Sequence, residues 1–156
     1  MFRELRRINQ SLTKEDCIRI LNTCSTGIMA VLGDNNYPYA VPLNYVYNDN
    51  KIFIHCAKKG HKIDAIMKNN NVSFCVVEKD TVIPEKFATD YSSVIAFGKA
   101  TFIDDERIMR KALEHLNEKY SPNYEDEGKK EIDDAINSVL IIQIEIEHLS
   151  GKKSKN

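Results

Sequence analysis

The chain has 156 residues, 42% of them hydrophobic, and its 22 basic and 23 acidic side chains nearly cancel. That is one domain's worth of chain with enough apolar residues for a core. It lacks the basic excess of a nucleic-acid binder and the polybasic block of a membrane-surface protein, and its longest apolar run, Val139-Leu140-Ile141-Ile142, is far too short to span a bilayer.

Residues 1–7 carry charge with no apolar stretch behind them, so no signal peptide is read there and a cytoplasmic location is expected. Thr13 followed by Glu15 and Asp16 marks a helix start, and Cys17, Ile18, Ile20, Leu21 and Cys24 supply its apolar face. Residues 27–32 form a short apolar strand, residues 33–36 a turn. A long strand follows from Tyr37 to Tyr47, with Tyr37, Tyr39, Val41, Leu43, Tyr45 and Tyr47 on one face. After a turn at Asn48-Asp49-Asn50, residues 51–56 make a third strand, and a helix is expected over residues 62–68. Residues 72–77 read as a fourth strand and 81–90 as irregular. A long strand occupies residues 91–103, and Asp104-Asp105-Glu106 opens a helix to about Lys119. Residues 121–130 read as an exposed loop and 132–137 as a short helical turn. The last strand, residues 138–149, alternates Ile142, Ile144 and Ile146 against Gln143, Glu145 and Glu147. Residues 151–156 are a basic tail. Six strands joined largely by hairpins point to an antiparallel sheet, and closure into a barrel would remove its edges.

Cys17, Cys24, Cys56 and Cys75 form no Cys-x-x-Cys pair, so no metal site is expected and the thiols are read as buried. No glycine-rich dinucleotide fingerprint, P-loop or nucleophile elbow occurs. The chemistry concentrates elsewhere. Lys58, Lys59, His61 and Lys62 surround Gly60 at a strand-to-helix junction, where free N–H groups, the helix dipole and cationic side chains attract an anion. Lys62, one step into the helix, is the preferred phosphate ligand. Pro38 and Pro42 give no N–H to a ladder, so their strand marks an edge, a bulge or an opening. Asn44 adds an amide and Tyr45 a flat face. His55 closes the strand before the basic turn, on the face opposite Cys56. Aromatic strand and basic turn together suit a phosphorylated, ring-bearing ligand such as a flavin nucleotide.

Three segments, residues 36–45, 55–62 (His-Cys-Ala-Lys-Lys-Gly-His-Lys) and 91–100 (Tyr-Ser-Ser-Val-Ile-Ala-Phe-Gly-Lys-Ala), carry a resemblance to a known family. The chain resembles the flavin-binding split-barrel proteins related to pyridoxamine 5′-phosphate oxidase, and within them the nitroimidazole-resistance branch. Asn36 stands where glycine is expected, but asparagine also tolerates the left-handed conformation. The resemblance covers nearly the whole chain. It implies a mainly β fold with α: a six-stranded antiparallel split β-barrel with peripheral helices, one domain over residues 1–150, assembled as a homodimer with flavin at the interface. It implies FMN, or FAD, as cofactor and NADH or NADPH as electron donor. Val41, Pro42, Leu43, Asn44 and Tyr45 would border the isoalloxazine ring. His55, Ala57, His61 and Lys62 would lie near the ribityl-phosphate chain or the ring, with Lys58 and Gly60 in the same turn. Ser92 and Ser93 would approach the flavin from the partner chain. His55 matches a histidine tied to activity in that branch. The leading expectation is a flavin-dependent reductase passing electrons from a nicotinamide donor to a small acceptor, for example a nitroaromatic compound. The alternatives are a flavin-binding or storage module and a haem-binding split barrel with His55 as axial ligand.

Overall fold

Thr13 caps the first helix as its sequence suggests. Its hydroxyl accepts the Asp16 N–H, and α1 runs over Lys14–Thr23. In the computed structural model, which describes residues 1–155, the elements that follow are β1 (Thr26–Leu32), β2 (Pro38–Asn44), β3 (Val46–Asn48), β4 (Lys51–Ala57), α2 (His61–Lys68), β5 (Asn71–Ile83), β6 (Ala88–Ile103), α3 (Glu106–Tyr120), α4 (Glu125–Ala135) and β7 (Val139–Lys153). The strands form one antiparallel sheet in the order β2-β1-β5-β6-β7-β4-β3.

The expected six-stranded barrel is corrected in two respects: there are seven strands, and no ladder closes the sheet. Both differences trace to Tyr45. The aromatic segment read as one strand breaks there, so that Thr26↔Asn44 is the last pair with β1 and Val46↔Phe53 the first with β4. The two edges of the sheet are therefore consecutive pieces of one chain segment, a strand that changes partners at a bend. Pro38 and Pro42 lie on an edge strand, as their missing N–H groups require.

Three other expectations change. Residues 81–90 are not irregular: Thr81↔Asp90, Val82↔Thr89 and Ile83↔Ala88 extend the β5–β6 hairpin, and Pro84 falls in its turn. Most of the expected loop at 121–130 belongs to α4, whose polar sequence hides one buried position, Ile132, followed by buried Ile136 at the C-cap. The tail is a strand as far as Lys153, with Ser93↔Lys152 and Val94↔Gly151 paired. Gly98 sits at a register shift, and a Cβ there would run into the Glu145 carbonyl. Among the described residues no helix is long and apolar enough to cross a membrane.

Alternation gives the sheet two faces. One buries Met29, Phe74, Val76, Val94, Ile52, Ile54, Ile142 and Ile144 against α1 and α2. On the other, Val46, Phe53 and Ile141 pack under Leu113 and Leu116 of α3 and Ile132 of α4. The β2-β1-β5-β6 part of this second face keeps Ile28, Leu32, Val77, Ile95 and Phe97 between 38% and 52% exposed. Phe2 stacks on Phe97 and His148 there.

Candidate functional site

The basic turn is built where β4 gives way to α2. Gly60 is the N-cap at φ 145°, a region glycine alone enters freely, and nothing lies within 4 Å of where its Cβ would be. No side chain caps α2, which leaves its first N–H groups to an outside acceptor. His61 ties the turn to the start of β2. Its Nε2 accepts the Asp34 N–H at 3.2 Å, and its ring stacks on Tyr39 with centroids 4.3 Å apart. Aromatic strand and basic turn, separate in sequence, are thus adjacent.

The cations of the turn divide. Lys58 Nζ donates to the Asn137 carbonyl at 2.5 Å, beside a cleft lined by Ile103, Met109 and Val139. Lys62 is half-buried and carries none of the ion pairs or hydrogen bonds found among the described residues. It lies near Cys56, whose thiol is pushed up by burial and pulled down by the Lys62 charge. His55 and Ala57 are exposed, and His55 faces Ile141 across the ladder. Cys56 turns to the core, so the expected separation of His55 from Cys56 holds.

Along β2, Val41 and Leu43 pack against the core while Pro42 and Asn44 are exposed. Asn44 Nδ2 donates to the Ser25 carbonyl at 2.9 Å. Tyr45 is corrected: its side chain is fully buried and offers no flat face to a ligand. It stands edge-on to Phe74, 4.9 Å between centroids, with Lys119 Nζ 3.9 Å from its ring centre. Its hydroxyl is buried without a partner, and burial raises its pKa. Ser92 is corrected too. It is 8% exposed and donates to Glu78 at 2.7 Å, on the core side of β6. Ser93, half-buried, takes the opposite face between Val77 and Lys152.

The residues that the sequence did not single out are on α3. Lys119 donates to the Leu21 carbonyl at 3.2 Å. Burial pushes it down to about 8, against a smaller upward pull from Cys24. Tyr120 reaches the backbone of Ser25 and Tyr45. Nothing in the local pattern marks either one, since both read as the polar end of an amphipathic helix. Among the described residues no cluster of His, Cys, Asp and Glu suits a metal ion.

The model of the family described as pyridoxamine 5′-phosphate oxidase matches residues 13–153. The chain belongs to that family. The match takes in every element from α1 to β7, including the Gly60 turn and the bend at Tyr45. No curated protein sequence matches this member of the family. Among solved structures it is similar to a provisionally named 5-nitroimidazole antibiotic resistance protein from Bacteroides thetaiotaomicron, at 21% identity and TM-score 0.79, covering 92% of this chain and 86% of that one. A flavocytochrome from Azotobacter vinelandii aligns at 16% identity and TM-score 0.84, over 98% of this chain and 73% of that one. An FAD and haem binding protein from Mycobacterium smegmatis aligns at 20% and 0.80, over 94% and 74%. At these identities the likeness establishes the fold. The family placed on three short segments of sequence is the family found.

Proposed function

We propose that this member of the pyridoxamine 5′-phosphate oxidase family is a flavin-dependent oxidoreductase, using FMN or FAD and reducing a small acceptor with electrons from a nicotinamide donor. The observation that carries this reading is the junction of Gly60, His61 and Tyr39, which sets an uncapped helix start and a free Lys62 beside an edge strand with exposed Pro42 and Asn44. The residues suit the group in parts. Lys62 and the first N–H groups of α2 hold the phosphate, where dipole and charge each contribute roughly 0.3–1 kcal/mol. Pro42 and Asn44 border the ring. Lys58, His61 and Ser92 shape the surroundings through their protein partners rather than contacting the ligand first.

When bound, a flavin supplies reversible hydride transfer, which no side chain provides. His55, exposed beside the turn, would hold a proton for the acceptor, since its ring carries both a donor and an acceptor nitrogen. The fold likeness to a named nitroimidazole-resistance protein supports a nitroaromatic acceptor. A second copy of the chain covers the apolar face around Ile28, Ile95 and Phe97 and encloses the flavin.

The test is anaerobic titration of flavin-loaded protein with NADH and NADPH. The expected outcome is bleaching of the flavin bands by one of them and recovery on adding a nitro compound. Flavin that binds but never bleaches supports a storage or relay module instead.

A further inference from the structure

The segment from Pro38 to Asn48 changes neighbours at Tyr45, between its pairing with β1 and its pairing with β4. A residue at such a switch has backbone groups that neither ladder takes up, and leaving them unpaired in a buried place is costly. One side chain meets them. Tyr120, the last residue of α3, accepts the Tyr45 N–H on its hydroxyl at 2.9 Å. The hydroxyl's own proton has the carbonyls of Ser25, at 2.6 Å, and Tyr45, at 2.7 Å, within reach. The Asn44 amide donates to the same Ser25 carbonyl at 2.9 Å. Hydroxyl and amide thus converge on one acceptor. Next to it, Lys119 spans from the Tyr45 ring to the Leu21 carbonyl, which fixes the end of α3 against α1 as well.

Alternation shows what this junction controls. Leu43 packs against the first core, so Asn44, the next residue of β2, faces the opposite side, the side on which Val46 packs in the second core. On β4, His55 shares the side of Phe53, which also lies in the second core. Asn44 and His55 therefore project to the same side from strands whose relation is set at the switch.

We propose that Tyr120 is a positioning residue of the flavin site: its hydroxyl stands in for the missing ladder pair at Tyr45 and, through the shared Ser25 carbonyl, holds Asn44 in place relative to the strand of His55. The proposal rests on the flavin reading above. It concerns the wall along the ring and leaves the phosphate end at Lys62 untouched.

The test measures FMN and riboflavin affinity, the visible circular dichroism of the bound flavin and the melting temperature of the apoprotein, for Tyr120→Phe, Asn44→Ala and the double variant. Tyr120→Phe is expected to weaken both ligands by similar factors, on the order of 10-fold, and to change the dichroism of the flavin that still binds. The combined loss is expected to fall short of the sum of the separate losses, because the two side chains act through one carbonyl. A lowered melting temperature with unchanged affinity and dichroism would overturn the proposal, since Tyr120 would then only support the fold. Additive losses would overturn it as well. Should Tyr120→Phe fail to fold, Asn44→Asp, at an exposed position, removes the amide donor to Ser25, and unchanged riboflavin affinity there also overturns it. Wild-type protein that binds neither ligand defeats the flavin reading and this proposal together. Wild-type binding with an indifferent Tyr120→Phe defeats this proposal alone.

Discussion

Lys58 and Lys62 occupy the same basic turn, yet Lys58 is taken up by the Asn137 carbonyl while Lys62, like Lys59, has no protein partner among the described residues. Lys62→Ala is expected to weaken FMN far more than riboflavin, because only the nucleotide carries phosphate. A charge-assisted hydrogen bond of roughly 1.5–3 kcal/mol corresponds to a loss on the order of 10–100-fold. Paired titrations check this, and equal losses for both ligands would remove Lys62 from the phosphate. The basic turn itself was legible in the sequence as a glycine, a helix start and clustered cations. The diversion of Lys58 was not, because its acceptor lies 79 residues further along the chain. The same applies to Tyr45. Its aromatic type suggested a ligand face, but Phe74 and Lys119, which claim its ring, come from β5 and α3.

Between elements, Glu78 joins three of them. It is the extra residue where the β5–β6 register shifts between Val77 and Lys79, and its carboxylate accepts from Arg19 of α1 and Ser92 of β6. Those hydrogen bonds, Arg19's first and Ser92's second, hold its carboxyl below the usual carboxylate range. The folded state therefore binds the proton less readily than the unfolded chain. The stabilisation is complete above the ordinary carboxylate range and disappears as pH falls through the lowered folded value. Glu78→Gln is expected to cost roughly 1 kcal/mol at pH 7, allowing for the partial exposure of the pair. The gap between the two proteins should close on acidification, as read by denaturant unfolding at several pH values. A gap that stays constant down to pH 3 would show that the charge is not what matters. Elements with strong periodicity, such as β4 and β7, were legible in the sequence. The outer part of the β5–β6 hairpin and α4 were not. The first carries little apolar alternation because almost nothing covers it, and the second buries so few positions that its polar residues mask the helical period.

For the whole molecule, the apolar face of β2-β1-β5-β6 is left partly exposed by a single chain. Phe97, Ile95 and Ile28 are as exposed as many surface polar residues. Phe97→Glu is expected to convert a dimer to a monomer in sedimentation velocity and to lower flavin affinity with it. A wild-type chain that sediments as a monomer at micromolar concentration would contradict the second-copy reading. The sheet's antiparallel character could be inferred from hairpin spacing, but its closure could not. Whether the ends of a sheet pair, or meet through a bent strand held by Tyr120, depends on a contact 75 residues apart that no local pattern encodes. The central claim is that the Gly60 turn and the β2 edge together hold a flavin nucleotide. The most direct measurement is the absorbance spectrum of gently purified protein, with mass identification of the ligand released on denaturation. Flavin bands with FMN or FAD released are the expected result. Colourless protein that also fails to take up either nucleotide would contradict the account.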